Sequence, residues 1–367
     1  MANKNLSKAK SAKNDEFYTQ YSDIQKEINA YLEYDKDVFK NKTVLLPCDD
    51  PEWSNFTKFF AQNFENFGLK KIISTSYAIE SKNLTSGWQP SLFEFEDEKF
   101  DKDKTRIKGK IFTLDHDANK SGSIDIDDLE WTYMDGDGDF RSDEVKKLRD
   151  EADIIVTNPP FSLFREFLAW IVEENKKFVI IGNVNTITYK EVFPLIQGNK
   201  IWLGKGFKGG AAHFINKHYE DYATASDHID GMIRVPGVVW FTNLEHGRRH
   251  QPLQLMTMED NLKFNKQIDS YPKYDNYDAI EVSYTNAIPG DYDGIMGVPI
   301  TFLDKYCPEQ FEIIWQASGN TRACAPQSIL KEVSYTIHPE DRGGCGVINN
   351  ERVYSRILIR RKQKGSK

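Results

Sequence analysis

The sequence predicts an α/β fold in which helices cover both faces of a mostly parallel, twisted sheet. Short apolar segments rich in β-branched residues are typical of buried strands, and they alternate with segments whose apolar residues recur at helical spacing. This alternation indicates parallel strands joined by right-handed crossovers. Polar residues also follow two of the strands directly, at the position where open α/β sheets bind ligands. We therefore expect a ligand site at the carboxyl end of the sheet.

Strand and helix signals follow one another along most of the chain. The clearest pair is the β-branched run at 153–157 and the segment 162–172, whose apolar residues are spaced for one helix face. A helix is also expected around Pro194. In chain order, strands are predicted within 42–51 and at 71–77, 108–115, 153–157, 177–182, 200–203, 238–242 and 354–359, and helices at 22–34, 54–64, 162–172 and 189–196.

The composition indicates a globular protein without a membrane segment. The 367 residues are enough for one large domain or two, and the apolar and charged contents of 39% and 28% are ordinary. No apolar run is long enough to cross a bilayer, and the N-terminus lacks the apolar segment of a signal peptide. The four cysteines form no C-x-x-C pair, which fits reduced thiols. We therefore expect a cytoplasmic protein.

The net charge of −8, taken alone, argues against a nucleic-acid partner. Its distribution weakens that objection. Residues 94–153 hold 20 acidic and 11 basic side chains, so this segment accounts for the whole negative excess. DNA binding depends on a local basic surface rather than on the total charge. The acidic segment is therefore expected to face away from a nucleic acid or to lie at a cofactor.

The strand at 153–157 runs into Asn158-Pro159-Pro160-Phe161, the stretch with the most specific chemistry. The prolines end the strand because they cannot donate to the sheet ladder. The side-chain oxygen of Asn158 and the backbone oxygen of Pro159 can accept both hydrogens of a conjugated amino group, which stabilises positive charge on its nitrogen during methylation. Phe161 offers a face on which a flipped base can stack. The alternative is a strand-to-helix turn that merely contains two prolines.

A second polar turn, Cys48-Asp49-Asp50-Pro51, follows the first strand. Nucleotide sites in such sheets usually have a glycine-rich turn here, and this turn has no glycine. Its carboxylates are instead suited to hold an ammonium group of a cofactor. The alternative is that the two aspartates cap the following helix and complement its positive end. After the second strand the nearest acid is Glu80, so a ribose-binding acid is left unassigned.

Two acidic, glycine-containing segments precede the strand at 153–157. Residues 117–128 have the oxygens and the glycine of a calcium loop, but the last position is aspartate, and a strand rather than a helix comes before the loop. A polar hairpin is favoured there, and a calcium-binding scaffold protein is the alternative from another functional class. Residues 135–139, Asp-Gly-Asp-Gly-Asp, allow the backbone to pass close to a ligand. The alternative for this segment is a solvated turn.

Several of these stretches resemble a known family. Asn158–Phe161 resembles motif IV of amino-methyltransferases that use S-adenosyl-L-methionine, and the wider run Val156–Glu166 is similar to the EcoRI-type adenine-N6 DNA methyltransferases. The resemblance covers most of the chain and is weakest at 81–134 and 317–350. Further similar stretches occur at 15–21, 185–193, 200–204, 271–280 and 297–303.

The resemblance implies the Rossmann-like sheet of S-adenosyl-L-methionine-dependent methyltransferases, with a target-recognition region. It also places the strand at 238–242 near the antiparallel end of the sheet, together with one at 211–215. It implies an enzyme that methylates N6 of a flipped adenine in double-stranded DNA, within a short site of the restriction-modification type. The implied cofactor is S-adenosyl-L-methionine, and no metal is implied. The implied partners are double-stranded DNA and a cognate restriction endonuclease, with the protein acting as a monomer. Methylation of RNA or of a protein glutamine is the alternative within enzymes, because the same tetrapeptide serves those groups.

The resemblance also assigns cofactor-binding residues. It matches the segment before the first helix to motif X, which lies against the methionine end of the cofactor, although an ordinary helix entry is the alternative. It matches the turn after the first strand to motif I. The segment 135–140 matches motif III, where a carboxylate accepts from the cofactor's adenine and a ring packs beside it. The candidates are Asp15, Phe17, Tyr18, Thr19, Cys48, Asp49, Asp50, Pro51, Asp137, Asp139, Phe140 and Asn158.

Two basic loops are candidates for contact with DNA. The glycine-rich loop 204–210 contains Lys205 and Lys208, and the loop 246–250 contains Arg248, Arg249 and His250. Arginine can read base edges, whereas lysine mostly contacts phosphate. For any single one of these residues, an ordinary surface loop is the simpler interpretation.

The chain is predicted to have four segments. Residues 1–13 form a flexible basic arm, which either frays or contacts phosphates. Residues 14–203 form the cofactor-binding and catalytic core, and 204–335 supply the rest of the sheet and target recognition. Residues 336–367 contain a strand and a basic tail, with seven Lys or Arg from 352 onwards.

Overall fold

The computed structural model describes residues 18–51, 54–78, 99–207, 211–215 and 232–363. The chain divides into two compact units. The first unit consists of Met1–Val184 and Leu203–Glu245, and the second consists of Asn185–Trp202 and His246–Lys367. Residues 203–245 therefore return the chain to the first unit, so the predicted segment 204–335 spans parts of both.

The first unit is built on an eight-stranded sheet. Its strands and those of a small separate sheet are β1 (Thr43–Leu46), β2 (Lys71–Ser76), β3 (Lys110–Leu114), β4 (Glu130–Tyr133), β5 (Ile154–Thr157), β6 (Lys177–Asn183), β7 (Trp202–Leu203), β8 (Ala211–Ile215), β9 (Met232–Pro236) and β10 (Val238–Thr242). The order in the large sheet is β4-β3-β2-β1-β5-β6-β10-β7. The central strands β2, β1, β5 and β6 run parallel, whereas β3, β4 and β10 are antiparallel to their neighbours. The predicted α/β fold with a mostly parallel sheet is confirmed.

Helices lie on both faces of this sheet because successive strand residues point to opposite sides. Val44, Leu46 and Trp240 join one core cluster with helix residues such as Ile28 and Phe56. On the other face, the Phe164 ring contacts Phe241 with 5.1 Å between centroids. The helices of this unit are α1 (Tyr21–Tyr34), α2 (Asn55–Gln62), α3 (Phe64–Phe67), α4 (Lys102–Ile107), α5 (Asp143–Glu151) and α6 (Phe164–Glu173).

The strand order reverses between β1 and β5. From β1 the chain first proceeds to β2 on one side, and it later adds β5 and β6 on the other side. Such a reversal places a crevice at the carboxyl ends of these two strands. Open α/β sheets bind their ligands at such a switch point.

The structure corrects one strand placement and one helix. β8 was expected near the antiparallel end of the large sheet together with β10, but it pairs with β9 in a separate two-stranded sheet, and its Ile215 forms a bridge to Tyr18. The helix predicted at 189–196 begins only at Phe193 and ends at Gln197, and residues 189–192 form a turn after a 3₁₀ segment at Val184–Thr188. Pro194 thereby lies in its first turn, where a missing N–H costs no helix bond.

The second unit contains a four-stranded sheet and a two-stranded hairpin. Its elements are α7 (Phe193–Gln197), α8 (Met258–Phe264), β11 (Ala279–Glu281), β12 (Ile295–Pro299), β13 (Phe311–Ala317), α9 (Thr321–Cys324), α10 (Gln327–Glu332), β14 (Val347–Ile348), β15 (Glu351–Arg352) and β16 (Arg356–Arg361). The sheet order is β11-β12-β16-β13, and β14 pairs antiparallel with β15. A core cluster that includes Tyr274, Ile314 and Leu358 packs within this unit. No helix among the described residues has the length and apolar character required to cross a membrane.

Candidate active site

The turn after β1 is tied to the end of β2. The backbone N–H of Cys48 donates to the Thr75 hydroxyl at 3.3 Å, and that of Asp49 donates to the Thr75 carbonyl at 2.8 Å. Cys48 has a φ of 62°, in the left-handed region that usually requires glycine. The turn therefore has the backbone conformation typical of a glycine, although the sequence supplies none there.

The Asp49 carboxylate lies at the start of α2 and is buried. It accepts hydrogen bonds from the Ser54 hydroxyl and from the backbone N–H and hydroxyl of Thr57, the last two at 3.1 and 2.7 Å. Burial raises the pKa of this carboxyl from its usual 3.8 to about 6, against the lowering effect of the hydrogen bonds. The structure therefore supports the helix-capping interpretation for Asp49. The same residue also lines a pocket.

The exit of β5 is joined to the exit of β1. The Thr157 hydroxyl donates to the carbonyl oxygen of Pro47 at 2.6 Å, so Asn158 begins its turn beside the Cys48–Asp49 turn. Both turns line one pocket, whose empty space of about 380 Å³ is partly open to solvent. Its lining residues are Tyr18, Thr19, Cys48, Asp49, Ser54, Phe56, Asn158 and Pro160.

The segment before α1 completes this pocket. Tyr18 pairs with Ile215 of β8 through two backbone hydrogen bonds of 3.1 and 3.2 Å. Asn55 at the start of α2 donates to the Thr19 carbonyl at 2.7 Å. The Thr19 side chain is buried, and its hydroxyl has no hydrogen-bond partner among the described residues. A buried hydroxyl in that state is costly unless a ligand satisfies it.

The acidic glycine segment approaches the end of β2. Ala78 donates its N–H to the Asp137 carbonyl at 2.8 Å, and a Cβ on Gly138 would lie 2.5 Å from the Ser76 carbonyl oxygen. The approach therefore requires glycine at 138, whose φ is +88°. The Asp139 carboxylate accepts from Arg141 Nε at 2.9 Å, and this contact lowers its pKa.

Phe140 and Tyr77 connect this segment to the rest of the unit. The Phe140 ring is buried against Phe167 and Trp170, at centroid distances of 5.1 and 5.7 Å. Its backbone N–H donates to the Tyr77 hydroxyl at 3.4 Å. Burial raises the pKa of Tyr77 above its usual value, as do the neighbouring Cys48 thiol and Asp139 carboxyl. Tyr77 therefore lies between the turn after β1 and the acidic segment.

The predicted site residues are thus brought together in part. Among the described residues the pocket unites candidates from the segment before α1, the turn after β1 and the turn after β5. Asp50, Pro51, Pro159, Phe161, Asp137, Asp139 and Phe140 do not line it, and Asp15 and Phe17 lie outside the described residues. Ser54, Phe56 and Tyr77 were not predicted. A signal existed for Tyr77, since it directly follows β2 at the ligand-binding edge.

Phe161 is half-buried in the 3₁₀ turn that precedes α6. Its ring meets the Phe214 ring edge-on, with 6.4 Å between centroids. An aromatic ring held on one side by another ring is oriented without being enclosed. That a flipped base stacks on Phe161 stays a prediction.

The candidates in the basic loop 246–250 differ in the contacts that their side chains make within the protein. Arg248 forms an ion pair with Asp304, and His250 contacts Glu309 at 2.8 Å. Arg249 is 4% exposed, with its guanidinium 3.9 Å from the Trp202 ring centroid and a hydrogen bond to Asn199. The buried position favours a structural role for Arg249 over the predicted contact with DNA, because a buried guanidinium does not reach a base or phosphate.

The glycine-rich loop 204–210 is described as far as residue 207, so Lys208 lies outside the described residues. The backbone N–H groups of Lys205 and Gly206 both donate to the buried Glu27 carboxylate at 3.0 Å. Burial raises the pKa of Glu27. The base of the loop is therefore fixed to α1, and contact between Lys205 and DNA stays a prediction.

The predicted polar hairpin at 117–128 is confirmed, since β3 and β4 pair antiparallel on either side of it. The loop carboxylates accept from its own backbone, as in the bonds from Ser121 and Gly122 to Asp117 at 2.9 and 2.8 Å. In the part of the chain that the structure describes, no group of three or more His, Cys, Asp or Glu residues could hold a metal ion.

Comparison with known proteins agrees with this geometry. The family described as adenine-specific methyltransferase EcoRI matches residues 5–362. The type II methyltransferase M.EcoRI of Escherichia coli is 47% identical over 317 residues, which are 85% of this chain and 89% of that protein. The type II methyltransferases M.MgeORF184P of Mycoplasma genitalium and M.MpnI of Mycoplasma pneumoniae are 33% and 32% identical, each over 98% of this chain and over 99% and 98% of their own lengths. No solved structure matches this chain. The chain therefore belongs to the EcoRI family of adenine-specific methyltransferases and is a DNA adenine methyltransferase.

Proposed function

We propose that the pocket between the exits of β1 and β5 binds S-adenosyl-L-methionine, and that Asn158 and Pro159 hold the N6 amine of an adenine rotated out of double-stranded DNA. The observation that carries this proposal is that Asn158 and Asp49 line one pocket at the switch point of the sheet. A methyl donor and an amine acceptor must meet in a single cavity. The two turns satisfy that requirement from neighbouring strands.

The residues of the pocket fit this cofactor. The pocket is partly open to solvent, and the cofactor carries an ammonium group that suits the Asp49 carboxylate. The Thr19 hydroxyl, buried and without a partner among the described residues, would gain a hydrogen bond from the ligand. When bound, the cofactor supplies a methyl group on a positively charged sulfur. We further propose that Asp15, Phe17, Tyr18 and Cys48 contact its methionine half.

The adenine half of the cofactor is proposed to lie toward Asp137 and Asp139. Tyr77, next to both Cys48 and Asp139, makes the turn after β1 and the acidic segment neighbours. The Asp139 carboxylate, which its contact with Arg141 keeps ionised, is suited to accept from an adenine amino group. The buried Phe140 ring favours a supporting role for that residue rather than direct stacking.

The chemistry required of the chain is modest. The amine of adenine is a poor nucleophile because its lone pair is delocalised into the ring. Two oxygens that accept its hydrogens, one from the Asn158 side chain and one from the Pro159 backbone, favour a pyramidal nitrogen and stabilise the positive charge that develops on it. No strong base is needed, since the methylated ammonium is acidic enough to lose its proton to water. Phe161 would stack on the rotated base.

We propose that the target is a short site shared with a cognate restriction endonuclease, and that the protein acts as a monomer in the cytoplasm. The names of the relatives, all type II methyltransferases, support the first part. The rival substrates are RNA and a glutamine side chain, because the same tetrapeptide can accept from those amines. A calcium-binding scaffold, the rival from another class, does not account for the family match over residues 5–362.

The test is transfer of a labelled methyl group from S-adenosyl-L-methionine to duplex DNA, to RNA of the same sequence and to a glutamine-containing protein. We expect label in DNA alone, recovered as N6-methyladenine after digestion and mass spectrometry. Single-molecule sequencing of DNA from an expressing host then gives the methylated site. Label in RNA or protein but not in DNA would overturn the substrate assignment.

A further inference from the structure

The short hairpin β14–β15 presents an exposed polar tip in the second unit. Val347 pairs with Arg352 and Ile348 with Glu351, so Asn349 and Asn350 form a two-residue loop. Both asparagines have positive φ, 52° and 61°, as a tight type I′ hairpin turn requires. The side chains of the tip and of β15 are exposed, and Tyr354 just beyond them is 88% exposed.

The base of the hairpin is held rigidly by the segment 275–277. Buried Asn276 donates through its amide to the Cys345 carbonyl and accepts from the Val347 N–H, each at 2.9 Å. Asp275 donates its N–H to the Val347 carbonyl at 2.8 Å, and its carboxylate accepts from the Asn350 N–H at 2.9 Å. Although the tip is exposed, its backbone is therefore fixed in place.

A second fixed turn lies next to the hairpin and carries Arg342. Fully buried Asp341 accepts from the Tyr335 hydroxyl at 2.6 Å and from the Gly343 N–H at 3.0 Å, and it also pairs with Arg322. Arg342 itself is exposed. Burial raises the pKa of the Cys345 thiol, and the positive charges of Arg352 and Arg342 act to lower it.

We propose that the β14–β15 hairpin is a base-reading element, which enters the major groove of DNA and contacts base edges through Asn349, Asn350 and Arg352, with Arg342 beside it. This inference rests on the proposed function, because it assumes a DNA substrate. The major groove admits a two-stranded ribbon. Asparagine can bond adenine and arginine can bond guanine in bidentate fashion, and both need a fixed backbone to discriminate between bases.

The contacts made by other arginines of the second unit support the choice of the hairpin as the base-reading element. The Arg249 guanidinium lies over the Trp202 ring, and Arg356 forms an ion pair with the Glu281 carboxylate. The tip of the hairpin instead concentrates side chains with directional hydrogen-bonding groups on an exposed and well-anchored turn. Glu351 of β15 is also compatible with a position in the major groove, because a carboxylate can accept a hydrogen bond from the amino group of cytosine. This places sequence reading beyond residue 335, later in the chain than the sequence predicted.

The test compares R352A and the double variant N349G/N350G with wild type. Glycine keeps the positive φ of the turn while it removes both amide side chains. K266A, which removes one exposed charge from the same unit, is the matched control. Each protein is assayed for equilibrium binding to a duplex with the methylated site and to duplexes with single-base changes, and for the rate of methyl transfer to the same duplexes. Cofactor affinity and thermal unfolding are measured in parallel.

We expect R352A to reduce the preference for the correct site over single-base variants by about 10-fold or more, with cofactor affinity and unfolding unchanged. The double variant should act in the same direction, and K266A should behave as wild type. Equal weakening on all sequences would assign the hairpin to phosphate contact and overturn the proposal, as would unchanged discrimination in both variants. A wild-type protein that binds its site but transfers no methyl group would contradict the proposed function alone, since the binding assay tests the hairpin separately.

Discussion

The Thr157 hydroxyl donates a 2.6 Å hydrogen bond to the carbonyl oxygen of Pro47, and this bond joins the two turns that form the pocket. Both residues are buried. Removal of the donor leaves a buried carbonyl without a partner, which typically costs about 1–3 kcal/mol. The position of Asn158 relative to Asp49 depends on the same bond.

We expect Thr157→Val to lower the free energy of unfolding by about 1–2 kcal/mol and the methyl-transfer rate by about 10-fold. Denaturant unfolding and steady-state kinetics measure the two effects. Thr157→Ser retains the hydroxyl and should restore most of both. A valine variant with wild-type stability and rate would show that the bond does not align the turns.

The raised pKa of Asp49 predicts how the free energy of unfolding depends on pH. Its pKa in the folded protein, about 6, lies above the usual 3.8 of an unfolded chain. The folded state therefore binds the proton more tightly, so this carboxyl stabilises the fold below pH 4, and that contribution is lost as the pH rises through about 6. A shift of this size corresponds to about 3 kcal/mol.

Asp49→Asn removes that titration. Compared with the variant, the wild-type protein should lose up to about 3 kcal/mol of unfolding free energy between pH 4 and pH 7. Urea unfolding at several pH values measures this difference. The variant should also bind the cofactor about 10-fold more weakly at pH 8, because it lacks the carboxylate that is proposed to face the ammonium group. A pH-independent stability difference would contradict the buried, titrating carboxyl.

Thr19→Val separates ligand binding from stability. The buried hydroxyl has no partner among the described residues, so its removal should leave stability unchanged or raise it by about 1 kcal/mol. Cofactor affinity should fall about 5- to 10-fold, as measured by calorimetric titration. Thr242→Val is the matched control, since that buried hydroxyl donates to the Phe178 carbonyl at 2.7 Å. The control should destabilise the protein without a change in cofactor affinity.

Phe161→Ala should weaken capture of the rotated adenine. Stacking of a base on an aromatic side chain is typically worth about 1–3 kcal/mol, so the change corresponds to at least a 5-fold loss. Duplexes with 2-aminopurine at the target position report the rotation as a rise in fluorescence. Phe161→Tyr keeps a ring at the position and should retain the signal. A normal fluorescence rise with the alanine variant would remove Phe161 from the assigned role.

Much of the first unit could be predicted because its signals are local. The β-branched run at 154–157 and the apolar run at 43–46 are typical of buried strands, and each is followed by a polar turn. Strands in a parallel sheet end at a common edge, so the two turns were expected to meet. The pocket that contains Asp49 and Asn158 agrees with that expectation.

The remaining features depend on contacts between distant parts of the chain. The Arg249 guanidinium lies over the ring of Trp202, which is 47 residues earlier in the chain. The sequence of the basic loop gives no sign of this contact. The Phe140 ring could face a ligand or the core, and its burial depends on Phe167 and Trp170 of α6. Asn276 lies within the segment 204–335 that was expected to contribute to target recognition, but its amide anchors the hairpin at 347–352.

The most direct measurement is methyl transfer to duplex DNA by Asn158→Ala, with cofactor affinity measured on the same preparation. The exposed Asn119→Ala serves as a control of the same chemical change. We expect the Asn158 variant to lose at least about 1,000-fold in rate while it binds S-adenosyl-L-methionine within a few-fold of wild type. A variant that forms N6-methyladenine at the wild-type rate would contradict the role of Asn158 as the acceptor that holds the target amine.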